Sequence, residues 1–264
     1  MAMSEADFEL VCEIEPPTRP DLKHVRHQIG VLSSIAGSFL IPDNHIGRAT
    51  VSSVAVAHEV EEMGGRSIAC LNARDRNLLG FQRDLLTAEA YGVDQFLLVR
   101  GDDPRVGGRT SELTVQTMLR EARTFDQTTE RPGGRKLRLG AVAGLGPLPD
   151  WKHEVDFLFL QVSFSIEALV RWRERVQVDT DVYAGVIVLA SSGMARGLAS
   201  TIPAIDIPSQ LVNQVDSDPR AGIEAACELV MSIRASGAFQ GVHLIPVSRY
   251  RPVAARLEQL LGHV

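Results

Sequence analysis

The chain alternates short apolar runs rich in β-branched residues with longer stretches whose apolar positions recur every three or four residues. The short runs are FELVCEI (8–14), SFLIP (38–42), RSIACLN (66–72), DQFLLVR (94–100), KLRLGAVAG (136–144), DFLFLQVSF (156–164), DVYAGVIVLA (181–190) and GVHLIPV (241–247). Runs that are apolar on both faces belong to strands of a parallel sheet covered by helices. In NLLGFQRDLLTAEAYG, Leu78, Phe81, Leu85 and Ala88 share one helical face and Gly92 closes the helix. In SIEALVRWRERV, Ser165 is placed to cap a helix and Glu167 complements its dipole. DPRAGIEAACELVMSIRASG predicts a helix capped by Asp218, with Pro219 in its first position. Its buried stripe is Ile223, Ala226, Cys227, Val230 and Ile233.

Eight β/α units in 264 residues predict a single domain over 1–264 with the (β/α)8 barrel architecture. A doubly wound open sheet would carry a Gly-rich turn after its first strand, where this chain has PPTRP. One unit is short. Between Gly144 and Asp156 there is room for a loop and a turn of helix around Trp151–Val155, so the fifth helix is expected to be reduced or missing.

Composition narrows the partners. A net charge of -6 with scattered basic residues argues against nucleic acid. Arg131, Arg135, Lys136 and Arg138 read as a solvated turn leading into a strand. Cys12, Cys70 and Cys227 lie far apart with no CxxC pair and read as reduced core thiols; the seven His show no metal-ligand spacing. The acidic, polar start MAMSEADFE is unlike a secretory signal, and no apolar run approaches the roughly 18 residues of a membrane span. A soluble, cytoplasmic protein is expected, with its oligomeric state open.

Barrel enzymes act at the C-terminal ends of their strands. Those ends carry Glu13 and Glu15, Asp43 and Asn44, Asn72, Arg100, Asp102 and Asp103, Gln161 and Ser163, and Ser191 and Ser192. The set is polar and acidic, with no His, Cys or Lys in a matching position. Carboxylate general-acid chemistry and stabilisation of a cation suit it better than a Ser-His-Asp triad, a Schiff base or zinc. Glu13 sits inside an apolar run, where a carboxylate is costly unless paired, protonated or used. A structural ion pair would explain it equally well. Asp102 and Asp103 in RGDDP could simply form a turn before Pro104. Gln161 could bond backbone rather than a ligand, and ARDRN (73–77) reads as a helix-start loop with solvated charges.

Several of these stretches, in order, resemble the methylenetetrahydrofolate reductase family. NARDRNLLGFQRDLLTAEAYGVDQFLLVRGDDP (72–104) resembles the segment leading into its fourth strand, and CEIEPP resembles its FEFFPP. LQVSFSIEALVRWRER, IPSQLVNQVD and the closing GVHLIPVSRYRPVAARLEQLLG also follow the family's order. The resemblance implies a (β/α)8 barrel that reduces 5,10-methylenetetrahydrofolate to 5-methyltetrahydrofolate. It puts Glu13 on the catalytic acid and Asp102 on the aspartate beside the reacting rings. Gln161 falls on the folate-binding glutamine. Asn72 and Asn213 are assigned to the folate, and Arg100, Gly144 and Ser163 to the cofactor.

The departures concern flavin. The third-strand His-Leu-Thr-Cys of the family is Ser67-Ile68-Ala69-Cys70 here, and its Tyr-Pro-Glu after the fifth strand is Gly144-Leu145-Gly146. The basic helix that holds the flavin phosphates falls where this chain is short, with Lys152 and His153 as its only basic residues. The expectation is direct hydride transfer from NADH or NADPH, without FAD. The alternatives are an FAD enzyme with a rebuilt site, a deazaflavin-dependent reductase, and a folate-binding or methyl-transferring barrel without redox activity.

Overall fold

The computed structural model describes residues 8–129, 135–202 and 205–262. Eight strands close into a barrel in sequence order, each pair of neighbours parallel. They are β1 (Glu9–Glu13), β2 (Ser38–Ile41), β3 (Arg66–Asn72), β4 (Gln95–Val99), β5 (Arg138–Ala143), β6 (Phe157–Val162), β7 (Asp181–Ile187) and β8 (Gly241–Ile245). Each lies inside one of the eight apolar runs. Outside run α1 (Lys23–Leu32), α2 (Ser53–Glu62), α3 (Leu78–Ala90), α4 (Val115–Thr128), α5 (Ile166–Arg175), α6 (Ser192–Thr201), α7 (Ser209–Ser217), α8 (Ala221–Ser236) and α9 (Tyr250–Leu261).

Strand alternation sorts the core into two bodies. Leu10, Cys12, Phe39, Ile41, Leu98, Leu158, Ala184 and Leu244 point outward into the large cluster shared with the helices. Their neighbours Val11, Leu40, Ile68, Cys70, Leu97, Phe157, Phe159 and Tyr183 fill the lumen. Gly140 makes room there, because a Cβ on it would run into the Phe157 ring.

The N-terminal end of the lumen is closed by polar side chains. Glu9 Oε1 accepts from Ser38 Oγ at 2.5 Å and Arg66 Nη2 at 2.6 Å, and Glu9 Oε2 accepts from the Tyr183 hydroxyl at 2.6 Å. Burial and the charge of Glu9 push the Tyr183 phenol up. Arg138 bonds Asp181 and Gln95 and lies over the Phe157 ring. The expectation of a solvated basic turn is therefore corrected at Arg138, which enters the barrel floor; Arg131 lies outside the described residues.

The fifth helix is indeed reduced, to a 3-10 turn at Asp150–Glu154. Leu145, Leu148 and Trp151 pack on the outer cluster there. Trp172 of α5 donates its indole N–H to Gly146 O at 2.9 Å and pins the loop. Ser165 caps α5 by accepting from Ala168 N at 3.1 Å. The expected stripe Ile223, Ala226, Cys227, Val230 and Ile233 is buried. The start of that helix is corrected: α8 begins at Ala221, because Asp218 and Pro219 form the turn from α7. Asp218 Oδ1 accepts from Arg220 N at 2.9 Å instead of capping the helix.

Candidate active site

All eight strands are parallel, so their C-terminal ends meet at one mouth. Glu13 shares the lumen face of β1 with Glu9 and Val11, since Leu10 and Cys12 point outward. Its carboxylate Oε2 lies 3.3 Å from His243 Nε2 on the neighbouring β8. His243 is 8% exposed and stacks on Phe159, with centroids 5.0 Å apart and planes 21° from parallel. No aligned hydrogen bond reaches its Nε2 among the described residues. The pair is thus close but loosely coupled, and Glu13 has no lysine or arginine ion-pair partner among the described residues.

Two more lumen residues face the same mouth from other strands. Gln161, on β6 where the register with β7 shifts, has no hydrogen-bonded partner for its amide among the described residues. Cys70 faces the mouth from β3, and burial followed by the charges of Glu13 and Asp43 pushes its thiol up. It stays a thiol and is a poor nucleophile. The sequence reading that no His or Cys joins the site is therefore corrected. His243 and Cys70 were readable from the alternation Gly241-His243-Ile245 and Ile68-Cys70-Asn72, which puts them on lumen faces.

The opposite side of the rim is saturated with its own bonds. Asn72, 3% exposed, donates from its amide to Asp43 Oδ2 at 3.0 Å and Asp75 Oδ2 at 2.7 Å. Its oxygen accepts from Arg74 N and Asp75 N. Arg76 Nη1 reaches Asp43 Oδ2 at 2.6 Å, and its Nε lies 3.2 Å from Asp84. Burial holds the Asp43 carboxyl above the usual carboxylate range, only partly offset by Arg76. ARDRN is a helix-start loop as expected, but Arg74 and Arg76 are half-buried and ion-paired rather than solvated. Asn72 serves as a brace for the rim, with no free polar atom for a ligand.

Asp102 is exposed and held by one oxygen, Oδ2 accepting from Ile46 N at 2.8 Å. That bond belongs to a clasp between the loops after β2 and β4. Arg105 N donates to Gly47 O at 2.8 Å and Arg105 Nε to Ile46 O at 3.0 Å. Gly47, at φ +66, lies so close that a Cβ would strike the backbone oxygen of Asp103. Asp103 pairs with Arg74 and Arg109. Arg100 is exposed, and its charge together with that of Arg109 adds to desolvation in lowering Arg74 from its ordinary value.

The remaining expected residues lie apart from Glu13. Gly144 is exposed at the end of β5 with open space around it. Nearby Lys152 donates to Val142 O at 2.7 Å and lies over the Trp151 ring, so it is engaged with the barrel wall. Ser163 is buried, its hydroxyl closing a turn with Ser165. Asn213 is exposed on α7 and lines an open groove against α8 together with Glu224 and Glu228. Glu15 lines a cavity of about 380 Å³ with His24, Gln28, Arg249 and Tyr250. Within it, Gln28 Nε2 and Arg249 Nε are buried without a partner among the described residues. Sequence reasoning missed both. Gln28 looks like an ordinary helix residue, and the charge signal of Arg249 is lost among other arginines.

No protein-family model matches the chain, and no curated protein matches it in sequence. Solved structures do match in fold. An uncharacterized protein from Clostridium thermocellum, reported to bind two copies of 5-methyl-5,6,7,8-tetrahydrofolic acid, aligns with TM-score 0.64 at 11% identity, over 96% of this chain and 95% of its own. EDTA monooxygenase from Chelativorans sp. BNC1 aligns with TM-score 0.59 at 8% identity, over 97% and 93%. Yersinia pestis DHPS, solved with a pterine-sulfa conjugate, aligns with TM-score 0.54 at 10% identity, over 99% and 96%. At such identities these likenesses speak for architecture: the chain is a single closed (β/α)8 barrel.

Proposed function

We propose that this barrel reduces 5,10-methylenetetrahydrofolate to 5-methyltetrahydrofolate, taking hydride from NADH or NADPH in one ternary complex without bound flavin. The observation that carries the reading is Glu13: a lumen carboxylate at the catalytic mouth, held by one loosely placed partner. The ordered motifs shared with methylenetetrahydrofolate reductases support the substrate. So does the folate bound by the Clostridium thermocellum barrel of the same architecture.

In this reading Glu13 protonates N10 of the folate. The bond from N10 to the bridging carbon breaks, its electron pair goes to N10, and positive charge develops at N5. Asp102, fixed through Oδ2 by the Ile46 amide, faces that charge with its second oxygen. Gln161, whose amide has no partner among the described residues, offers it to the pterin edge. Gln28 and Arg249 in the cavity beside Glu15 supply donors for the carboxylates of the folate's glutamate tail. Exposed Arg100 is available to a dinucleotide phosphate. The nicotinamide supplies hydride to the bridging carbon and completes the methyl group. A general acid of this kind contributes about 10²–10⁴ in rate, and face-to-face positioning of the rings adds by proximity.

The flavin-free reading is supported by the short β5–β6 connection, whose lysine is already engaged. A pyrophosphate needs cations or backbone N–H groups to replace water. Lys152 is bonded to Val142 O and is lowered from its ordinary value by burial.

The test is initial-rate kinetics of the purified protein with methylenetetrahydrofolate and each nicotinamide dinucleotide, beside its visible spectrum. Folate-dependent NAD(P)H oxidation with a sequential pattern is expected. A flavin spectrum or ping-pong kinetics would overturn the flavin-free reading. Folate binding without oxidation would leave a folate-binding barrel instead.

A further inference from the structure

The acid assigned above poses a problem that its neighbourhood answers. A glutamate is ordinarily ionised at neutral pH, whereas an imidazole beside a carboxylate holds its proton into the neutral range. His243 Nε2 stands 3.3 Å from Glu13 Oε2 and makes no aligned hydrogen bond among the described residues. The flat contact with Phe159 fixes the imidazole plane.

We propose that His243 is the proton reservoir of the site, and that Glu13 is the relay that faces the folate. This rests on the reading of Glu13 as the acid. At rest the two groups hold one proton between them. As the proton on Glu13 passes to N10 and the bond from N10 to the bridging carbon breaks, the electron pair of that bond goes to N10. That leaves Glu13 as a carboxylate beside a neutral imidazole, and solvent restores the shared proton through His243 before the next turnover. His243 touches the acid rather than the substrate and is therefore a positioning and supply residue.

The surroundings leave few other groups to titrate in its place. From β3 the facing group is Cys70, kept as a thiol by burial. Beyond β2, Asp43 is bound to Arg76. Glu15 stands exposed past the end of β1, and Glu9 and Tyr183 bond one another toward the opposite end. Leu40, Leu97, Val142, Phe159, Gln161 and Gly185 on the remaining strands carry no charge.

Two measurements test this, one with turnover and one without. His243→Gln should lower kcat/KM at pH 7.5 by at least about tenfold. The deficit should narrow steadily toward pH 5.5, as the lone carboxylate regains its own proton. A merely structural histidine would depress the rate equally at every pH, and that outcome would overturn the proposal. Independently, the His243 ring followed by ¹⁵N NMR should lose its proton at least about one pH unit lower in Glu13→Gln than in the unaltered protein. An unchanged titration would overturn the proposal whatever the protein's activity. A shifted titration in a protein that fails to oxidise NAD(P)H with methylenetetrahydrofolate would support the pair while removing the reductase reading.

Discussion

Glu9 and Glu13 lie on one strand, four positions apart, both facing the lumen, and have opposite surroundings. Glu9 receives three hydrogen bonds within 2.6 Å, from Ser38, Arg66 and Tyr183. Among the described residues Glu13 has only the imidazole of His243, 3.3 Å away and out of line. A carboxylate whose lone pairs are filled by protein is a structural device, because any change in its charge leaves several donors stranded. One left nearly unpartnered at the mouth can change protonation at little structural cost. The same contrast divides the rim itself. Asp43, Asn72 and Arg76 saturate one another on the β2–β3 side, while Gln161 and Glu13 stay open on the other.

Short of altering Glu13 itself, the largest effect is expected at the saturated rim. Arg76→Ala removes the cation beside the nearly buried Asp43 side chain, while Asp84 keeps Arg83, and should lower the unfolding free energy by about 3 kcal/mol in urea titration. Next comes the floor: Glu9→Gln should cost about 2 kcal/mol, because charge-assisted bonds from Arg66 and Tyr183 are weakened. Its turnover per folded molecule should stay unchanged. If Glu9→Gln instead abolished turnover in a fully folded protein, the division between floor and mouth would be broken. Asp102→Asn should leave stability alone, since the Ile46 bond persists. It should slow folate reduction about tenfold, the equivalent of about 1.4 kcal/mol.

A smaller effect sharpens the floor by pH. The Tyr183 phenol is held above its ordinary value by burial and Glu9, so its contribution is fully present below about pH 10, the unfolded value. It is lost as pH rises through the folded value. The urea midpoint of the unaltered protein should therefore fall more steeply above pH 10 than that of Tyr183→Phe. Smallest of all, Ser163→Ala should change turnover by less than about twofold, because the hydroxyl already closes its own turn.

Much of the architecture was legible because it rests on local periodicity. Each strand fell within its apolar run, and the shortened fifth unit followed from the distance between two such runs. Glu13 was legible as a strand-end acid. His243 was equally open to the same alternation, yet a histidine in GVHLIPV attracts no notice until β8 closes against β1. The saturation of Asn72 and Arg76 could not be read at all. Their partners Asp43 and Asp84 come from separate segments, and only the folded chain shows those donors to be engaged. The helix starting at Ala221 was misplaced because Asp218 can cap a helix or hold a turn, and the preceding α7, weakly patterned in sequence, selects the turn.

The central claim is that Glu13 is kept for chemistry and contributes little to stability. Glu13→Gln measured in one preparation for both folate-dependent NAD(P)H oxidation and urea unfolding tests it most directly. The account predicts a rate at least about a hundredfold lower with an unfolding midpoint indistinguishable from that of the unaltered protein. Intact turnover, or a loss of stability comparable to that of Glu9→Gln, would contradict it.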